Sequence, residues 1–151
     1  MDVQLITPLT TGILVYYSSS IMNLLEPILN SLKFDEKGLI PAIVQDAENN
    51  EILMFAFMNR ESVEKTLTSG LATYYSRSRK KLWIKGESSG HTQEVREVYF
   101  DCDNDCLLIK IKQNVAACHT GFRSCFFNKI ENGKVVTVGK KMFEEKEVYK
   151  K

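Results

Sequence analysis

The sequence has almost no net charge, because 20 lysines and arginines stand against 19 aspartates and glutamates. The formal charge of +1 produces no overall field that would attract nucleic acid, an anionic membrane or an acidic partner. Binding of an anion must therefore come from a local group of basic side chains. Its 151 residues, 44% of them hydrophobic and 26% charged, suit one globular domain with its own core.

Long apolar runs and a basic start are also missing. Residues 1–20 contain no Lys or Arg, and their best apolar stretch, 13–17, is short. A secretory signal needs a basic start and a longer apolar run, and a membrane helix needs about 20 apolar residues. We therefore expect a cytoplasmic protein with no membrane or nucleic-acid partner, in which cysteines serve metal binding or catalysis.

Several sequence motifs of known mechanism are absent. No repeat with a period of about 20–50 residues is present, which argues against a solenoid. Neither a Walker loop nor a Gly-x-Gly-x-x-Gly loop occurs, so nucleotide-cofactor folds have no support. The His-x-Glu and Pro-Cys-x-x-Cys pattern of zinc nucleobase deaminases is missing too.

The hydrophobic pattern predicts a strand-rich α+β fold in one small domain. We expect an antiparallel or mixed β-sheet, or a barrel-like sheet, with one or two short helices. A weak helical pattern covers 23–32, with Pro27 near its start, and Asn59 and Gly70 are expected to cap a second helix. Strands are expected at 39–44, 52–58, 73–75, 82–84, 92–100, 106–112, 125–130 and 135–138.

Composition changes at both ends of the chain set the expected domain bounds. Residues 1–21 form either a loose arm or an extension upstream of a translation start at Met22. The domain is expected at 22–139, followed by a charged and solvated tail at 140–151.

The segment 101–125 holds all four cysteines and three acids at alternating positions, Asp101, Asp103 and Asp105. On a strand or an extended loop this spacing places the three carboxylates on one face and Cys102 on the other. Crowded carboxylates favour a hard dication such as magnesium or calcium. A solvated acidic turn without a metal is the alternative.

Three thiolates, from Cys102, Cys118 and Cys125, would leave zinc one position for water, as catalytic sites do. If Cys106 joins them, the site is closed and the protein is a noncatalytic zinc-binding module. If Cys106 is instead a small apolar residue beside Leu107, the site is open. A third hypothesis is a secreted domain with two disulfides whose acids bind calcium.

His119 follows Cys118 directly, and it is either a proton shuttle or ligand at a metal site or a histidine satisfied within the fold. Basic and small polar residues surround Trp83, namely Arg77, Arg79, Lys80, Lys85, Ser88, Ser89, Gly90 and His91. Arginine forks and loop amides suit phosphate oxygens, and Trp83 offers a face on which a base can stack. The alternative is an exposed basic hairpin with Trp83 in the core.

Four stretches, 75–79 (YSRSR), 82–93 (LWIKGESSGHTQ), 101–105 (DCDND) and 118–126 (CHTGFRSCF), together resemble the phosphoribosyl-AMP cyclohydrolase family of histidine biosynthesis. The resemblance covers about 32–130. It implies an intertwined homodimer whose zinc is bound by cysteines of both chains, and a magnesium ion bound by the aspartates. Carried onto this sequence, the zinc ligands are Cys102, Cys118 and Cys125, and the magnesium ligands are Asp101, Asp103 and Asp105.

The resemblance also implies an enzyme that opens the adenine ring of phosphoribosyl-AMP at its N1–C6 bond. A zinc-activated water would attack C6 with magnesium assistance, and His119 would move the proton. The substrate phosphates and base would contact Arg77, Arg79, Trp83, Lys85, Glu87, Ser88 and His91. The small-molecule substrate and a second copy of the chain are the expected partners.

Overall fold

The computed structural model describes residues 19–148. Within this range the chain forms, in order, α1 (Ser19–Ser31), β1 (Leu39–Asp46), β2 (Ile52–Asn59), α2 (Arg60–Ser69), β3 (Thr73–Ser76), β4 (Lys81–Ile84), β5 (Gln93–Phe100), β6 (Leu107–Gln113), β7 (Asn128–Glu131), β8 (Lys134–Thr137) and α3 (Glu145–Val148). Most of the arm predicted at 1–21 lies outside the described residues. No helix in the described range is long and apolar enough to cross a membrane.

Four strands form one mixed sheet in the order β2-β1-β6-β5. The central pair, β1 and β6, is parallel, and both outer pairs are antiparallel. The prediction of a strand-rich α+β fold with a mixed sheet is confirmed. The barrel-like alternative is wrong for the described residues, because β2 and β5 remain as edges of an open sheet.

Two separate ribbons, β3-β4 and β7-β8, complete the strands. The strand predicted at 125–130 begins later, at Asn128, since residues 125–127 form no regular ladder. The short helix α3 lies in the predicted tail and had no counterpart in the sequence pattern.

One face of the sheet carries the core. Alternate residues of β1, including Ile40 and Val44, are fully buried, and Ile109 of β6 lies among them. Leu29 of α1 and Val63 of α2 belong to the same cluster, so both helices cover this face. The opposite face, here called the outer face, carries exposed or half-buried apolar side chains of the same strands: Pro41, Ile43, Phe55, Phe57, Tyr99 and Leu108.

The predicted caps of α2 are confirmed. The Asn59 side chain accepts a hydrogen bond from the Ser62 N–H at 2.9 Å, and the Ser62 hydroxyl accepts one from the Asn59 N–H at 2.8 Å. Gly70 ends the helix at φ 72°, in the left-handed region. In α1, by contrast, Pro27 lies inside the helix rather than near its start, because the helix already begins at Ser19.

A buried chain of hydrogen bonds joins the sheet to the loop that follows it. The Tyr74 hydroxyl donates to Gln93 Oε1 at 2.6 Å, and Gln93 Nε2 donates to Gln113 Oε1 at 2.7 Å. Gln113 Nε2 in turn donates to the main-chain oxygens of Asn114 at 2.9 Å and Ala116 at 3.1 Å. The segment leading to Cys118 is therefore fixed by side chains of the core.

The start of the predicted tail packs on the loop around Gly121. The Met142 N–H donates to the Gly121 oxygen at 2.7 Å, and the Arg123 N–H donates to the Lys140 oxygen at 2.8 Å. A Cβ on Gly121, whose φ is 95°, would lie 2.0 Å from the Phe143 oxygen. The side chains at 140–142 are exposed, as expected, while their main chain is held in place.

Candidate active site

The three aspartates lie in the turn between β5 and β6, not on a strand. Asp101 Oδ1 closes this turn by accepting hydrogen bonds from the N–H groups of Asp105 at 3.0 Å and Cys106 at 3.1 Å. Asn104 adopts a φ of 65°, which lets the chain reverse. The exposed side-chain oxygens of Asp101, Asp103 and Asp105 all lie within 4.8 Å of one another. The carboxylates meet as expected, but through a turn and not through strand alternation.

The turn shifts the pKa values of its acids in opposite directions. Burial opposes ionisation of Asp101, but hydrogen bonds from the Cys106 and Asp105 N–H groups outweigh it and lower its pKa. The negative charge of Asp103, followed by burial and the charge of Asp101, raises the pKa of Asp105. A cation bound among them would favour the ionised form of all three carboxylates.

Cys102 lies in the same turn, where its exposed Sγ is 3.8 Å from Asp103 Oδ1. The prediction that it points away from the aspartates is therefore wrong, because residues of a turn do not alternate between two faces. Cys106 is half-buried and lines an apolar groove with Pro41 and Ile43. Burial, followed by the charge of Asp101, raises the pKa of the Cys106 thiol.

All four cysteines are free thiols, which argues against the disulfide hypothesis. Within residues 19–148 the acidic turn is the one place where three or more potential metal ligands of a single chain converge. A closed four-cysteine site is thus not formed by one copy of the described chain.

Cys118 and Cys125 lie at the two ends of a short loop, here called the cysteine loop. The Gly121 N–H donates to the Cys118 oxygen at 3.2 Å, and the Cys118 N–H donates to the Phe122 oxygen at 3.2 Å. At the other end the Cys125 N–H donates to the Leu53 oxygen on β2 at 2.7 Å. Folding the loop in this way places Cys118 close enough to Cys125 to influence its ionisation.

Burial, followed by the neighbouring Cys118, raises the pKa of the Cys125 thiol to about 12, against the positive charge of Lys85. Lys85 is only 7% exposed. Burial lowers the pKa of its ammonium group, while Cys125 and Cys118 act in the opposite sense. A cation at this place would stabilise the thiolates, since thiols release protons when they bind metal.

A cleft of about 380 Å³, here called the thiol cleft, opens beside this pair. Half of the predicted site residues line it: Arg79, Trp83, Lys85, Glu87, Ser88, His119 and Cys125. The loop 86–89 forms one wall and turns at Gly86, where a Cβ would lie 2.4 Å from the His91 carbonyl carbon. Only glycine allows this close return, at a φ of 84°.

A second cleft, of about 440 Å³, adjoins the first and shares Met54, Arg79 and Trp83 with it. Arg77 lines this second cleft, with its guanidinium carbon 4.1 Å from the centre of the Phe57 ring. Arginine stacked on an aromatic ring keeps its fork available for an anion. The two predicted arginines therefore belong to neighbouring clefts.

The two histidines have different surroundings. His119 is exposed in the thiol cleft, directly after Cys118. His91, predicted to contact substrate, is buried, and its ring centre lies 4.7 Å from that of Phe143. Burial, followed by the charge of Lys85, lowers the pKa of His91.

Two site residues were missed by the sequence patterns. Thr120 Oγ1 lies 3.0 Å from Cys118 Sγ, and a hydroxyl two residues after a cysteine was an available signal. Met54 is a wall of both clefts, but its alternating apolar strand indicated only a core position.

Comparison with known proteins gives one consistent match. Residues 54–127 match the sequence model of the family described as Phosphoribosyl-AMP cyclohydrolase. This range contains the acidic turn, the cysteine loop and the walls of both clefts.

Full-length relatives are also similar. The chain is 57% identical over 121 residues to the phosphoribosyl-AMP cyclohydrolase of Methanococcoides burtonii, covering 80% of this chain and 98% of that protein. Its identity to the protein of that name from Pelotomaculum thermopropionicum is 54% over 124 residues, covering 82% and 96%. For the Desulfatibacillum aliphaticivorans protein the identity is 58% over 115 residues, covering 76% and 92%.

Proposed function

The chain belongs to the phosphoribosyl-AMP cyclohydrolase family, and we propose that it hydrolyses the N1–C6 bond of the adenine ring of phosphoribosyl-AMP in histidine biosynthesis. The observation that carries the proposal is the thiol cleft. It combines the thiol of Cys125, which the neighbouring Cys118 influences electrostatically, with an exposed histidine and an indole that has an arginine beside it. These are a metal-ligand pair, a proton carrier and a surface for a phosphorylated base.

The chemistry follows from the substrate. N1 carries a ribose phosphate, so the ring is cationic and C6 is electrophilic. The oxygen of water forms a bond to C6, the N1–C6 bond breaks, and its electron pair goes to N1. One water proton reaches N1, the other is released together with the positive charge of the ring, and C6 becomes the carbon of a carboxamide. His119, exposed in the cleft, would carry this proton from the attacking oxygen to N1.

The thiols suit zinc. Thiolates are usual zinc ligands, and three protein ligands leave one position open. Cys118 and Cys125 supply two, and the charge of Lys85 favours the ionised form of Cys125. Cys102 does not join them within residues 19–148, so the donor set would be completed by Cys102 of a second copy. When bound, zinc supplies the Lewis acidity that lowers the pKa of water.

The acidic turn suits magnesium, a hard cation that prefers carboxylate oxygens and phosphate. The exposed carboxylates of Asp101, Asp103 and Asp105 lie within 4.8 Å of one another. Their proposed role is to hold the ion against a phosphate of the substrate. The other phosphate contacts would come from Arg77, Arg79 and Ser88, with Trp83 stacked on the base.

The outer face supports a homodimer. It exposes apolar side chains beside a groove of about 620 Å³, lined by Ile43, Phe55 and Phe126 among others. Contiguous exposed apolar surface of this kind marks an interaction site. A second copy is the proposed occupant, since the zinc donor set needs one. Ile43→Lys should then give monomers without zinc, whereas Ile130→Lys, at a position 82% exposed on β7, should change neither property.

The proposed reaction is tested by ultraviolet absorbance with N1-phosphoribosyl-AMP, before and after metal removal by a chelator. Opening of the ring should change the spectrum only in the metal-loaded protein. His119→Ala should lower kcat by about 100- to 10,000-fold. Cys102→Ala should abolish activity, and Cys106→Ala is the matched control that should keep it. A spectrum that never changes, with metal or without, would refute the proposal.

A further inference from the structure

An ion pair inside the fold holds the cysteine loop to the central sheet. Arg123 lies between the two cysteines in sequence and pairs through Nη2 with Asp46 Oδ2. Asp46 ends β1, and its side chain is 3% exposed, against 21% for that of Arg123. The pair thus joins the loop to a strand distant in sequence.

The carboxylate end of this pair is rigid. Asp46 Oδ1 accepts a hydrogen bond from the Glu48 N–H at 2.8 Å. Its main-chain N–H donates to the Glu51 oxygen at 2.8 Å. Both side-chain oxygens of Asp46 therefore have partners, and the group cannot rotate without losing one of them.

The guanidinium end reaches the beginning of the loop as well. Arg123 Nη1 donates to the main-chain oxygens of Val115 at 2.9 Å and Gln113 at 3.2 Å. Its own carbonyl accepts from the Ala117 N–H at 3.0 Å. Ala117 directly precedes Cys118, and Arg123 stands two residues before Cys125. The side chain of Arg123 thus holds the start of the loop, while its main chain holds the residue next to Cys118.

We propose that Asp46 and Arg123 are positioning residues that hold Cys118 and Cys125 in the arrangement that zinc requires. The inference rests on the proposed zinc site. Stability alone accounts poorly for the pair, because a buried ion pair stabilises a fold no better than apolar residues of equal volume. The pair instead fixes the orientation of the groups around it, because the planar guanidinium fork binds several acceptors at once.

A purely electrostatic role makes the opposite prediction. The charge of Arg123 is balanced by Asp46, so Asp46→Asn would leave the guanidinium charge uncompensated two residues before Cys125. An uncompensated positive charge favours thiolates and would tighten zinc binding. Loss of position would weaken it. The direction of the change therefore separates the two roles.

The test is zinc affinity, measured by competition with a chromophoric chelator in the wild type, Asp46→Asn and Arg123→Lys at equal dimer content. We expect binding about 10- to 100-fold weaker in both variants, as for other groups that orient metal ligands. Glu26→Gln is the matched control, because it breaks the exposed Glu26–Arg60 pair of 2.9 Å remote from the thiols. Its zinc affinity should equal that of the wild type.

Arg123→Lys keeps the charge but lacks the fork, so it decides the outcome if Asp46→Asn does not fold. In the double variant the loss of zinc affinity should not exceed the larger of the two single losses, because both substitutions break the same Asp46–Arg123 pair. Unchanged or tighter zinc binding in the variants would overturn the inference. A wild type that binds no zinc would instead overturn the proposed function.

Discussion

A complementation experiment tests whether the proposed site is built from two chains. Cys102 lies in the β5–β6 turn, while Cys118 and Cys125 lie together in the cysteine loop. If each zinc takes Cys102 from one chain and the loop thiols from the other, Cys102→Ala and Cys118→Ala should each be inactive alone. Mixed in one dimer, they should restore one intact site, because both defects fall into the same composite site.

The size of the recovery follows from counting sites. Random assembly of equal amounts makes about half of the molecules heterodimers, and each heterodimer carries one intact site out of two. Activity should therefore return to about a quarter of the wild-type value per chain. Purification of heterodimers through two different tags should raise it to about half.

The assay is ring opening followed by absorbance, with zinc content determined on the same samples. The matched control mixes Cys118→Ala with Cys125→Ala. Both substitutions then remove a thiol of the cysteine loop, so each of the two sites in the heterodimer lacks one ligand. No activity should return. Recovery in this control, or none in the first mixture despite formation of heterodimers, would refute the shared site.

Three further predictions concern the framework of the site. Tyr74→Phe removes the donor to the buried Gln93 Oε1, so the free energy of unfolding should fall by about 1–3 kcal/mol; an unchanged midpoint in chemical denaturation would contradict this. Burial also raises the pKa of Tyr74 above its ordinary 10.0, so its contribution should be complete below about pH 10 and decline as the pH rises further. This alkaline decline should be absent from Tyr74→Phe, and equal slopes in the two proteins would refute the assignment. Gly86→Ala places a methyl group 2.4 Å from the His91 carbonyl carbon and should lower both the melting temperature and kcat/KM. Gly90→Ala, with a φ of 75° but no atom within 4 Å of its Cβ, should lower only the melting temperature; equal losses of activity would contradict the role of the loop 86–89.

Elements that are formed by contacts between residues close in sequence could be predicted from local sequence signals. The caps of α2 depend on Asn59, Ser62 and Gly70, all adjacent to the helix they end, and the sequence located the helix accordingly. The strand pairs joined by short turns were equally accessible. The parallel pairing of β1 with β6 was not, because it joins segments separated by a helix and four other strands.

The three aspartate carboxylates of the acidic turn meet as predicted, but the geometry that brings them together differs from the predicted one. Alternating acids fit a strand, but Asp101 instead accepts hydrogen bonds from the N–H groups of Asp105 and Cys106. Asn104, which tolerates positive φ, was the local signal for a turn. Strand alternation and turn closure both gather the carboxylates, but only the turn also keeps Cys102 beside them.

The burial of two basic groups, Lys85 and His91, depends on distant parts of the chain and could not be predicted from residue type. Lys85 and His91 were placed with the substrate phosphates, where positive charge is useful. In the structure Lys85 is buried beside the thiols, and His91 packs against Phe143 from the returning C-terminal segment. The sequence within ten residues of Lys85 or His91 gives no sign that the segment containing Phe143 packs there.

In the cysteine loop, two consecutive residues line the thiol cleft and the apolar groove of the outer face. Cys125 lines the thiol cleft, and the next residue, Phe126, is 59% exposed and lines the apolar groove of the outer face. A second copy that covers Phe126 would therefore act on the main chain that holds Cys125. The thiol pair of one chain lacks a third ligand, and the Cys102 of one chain lacks thiol partners within residues 19–148. Under the proposed function, a monomer would carry two incomplete halves of the zinc site, so formation of the dimer and completion of the site would be a single event.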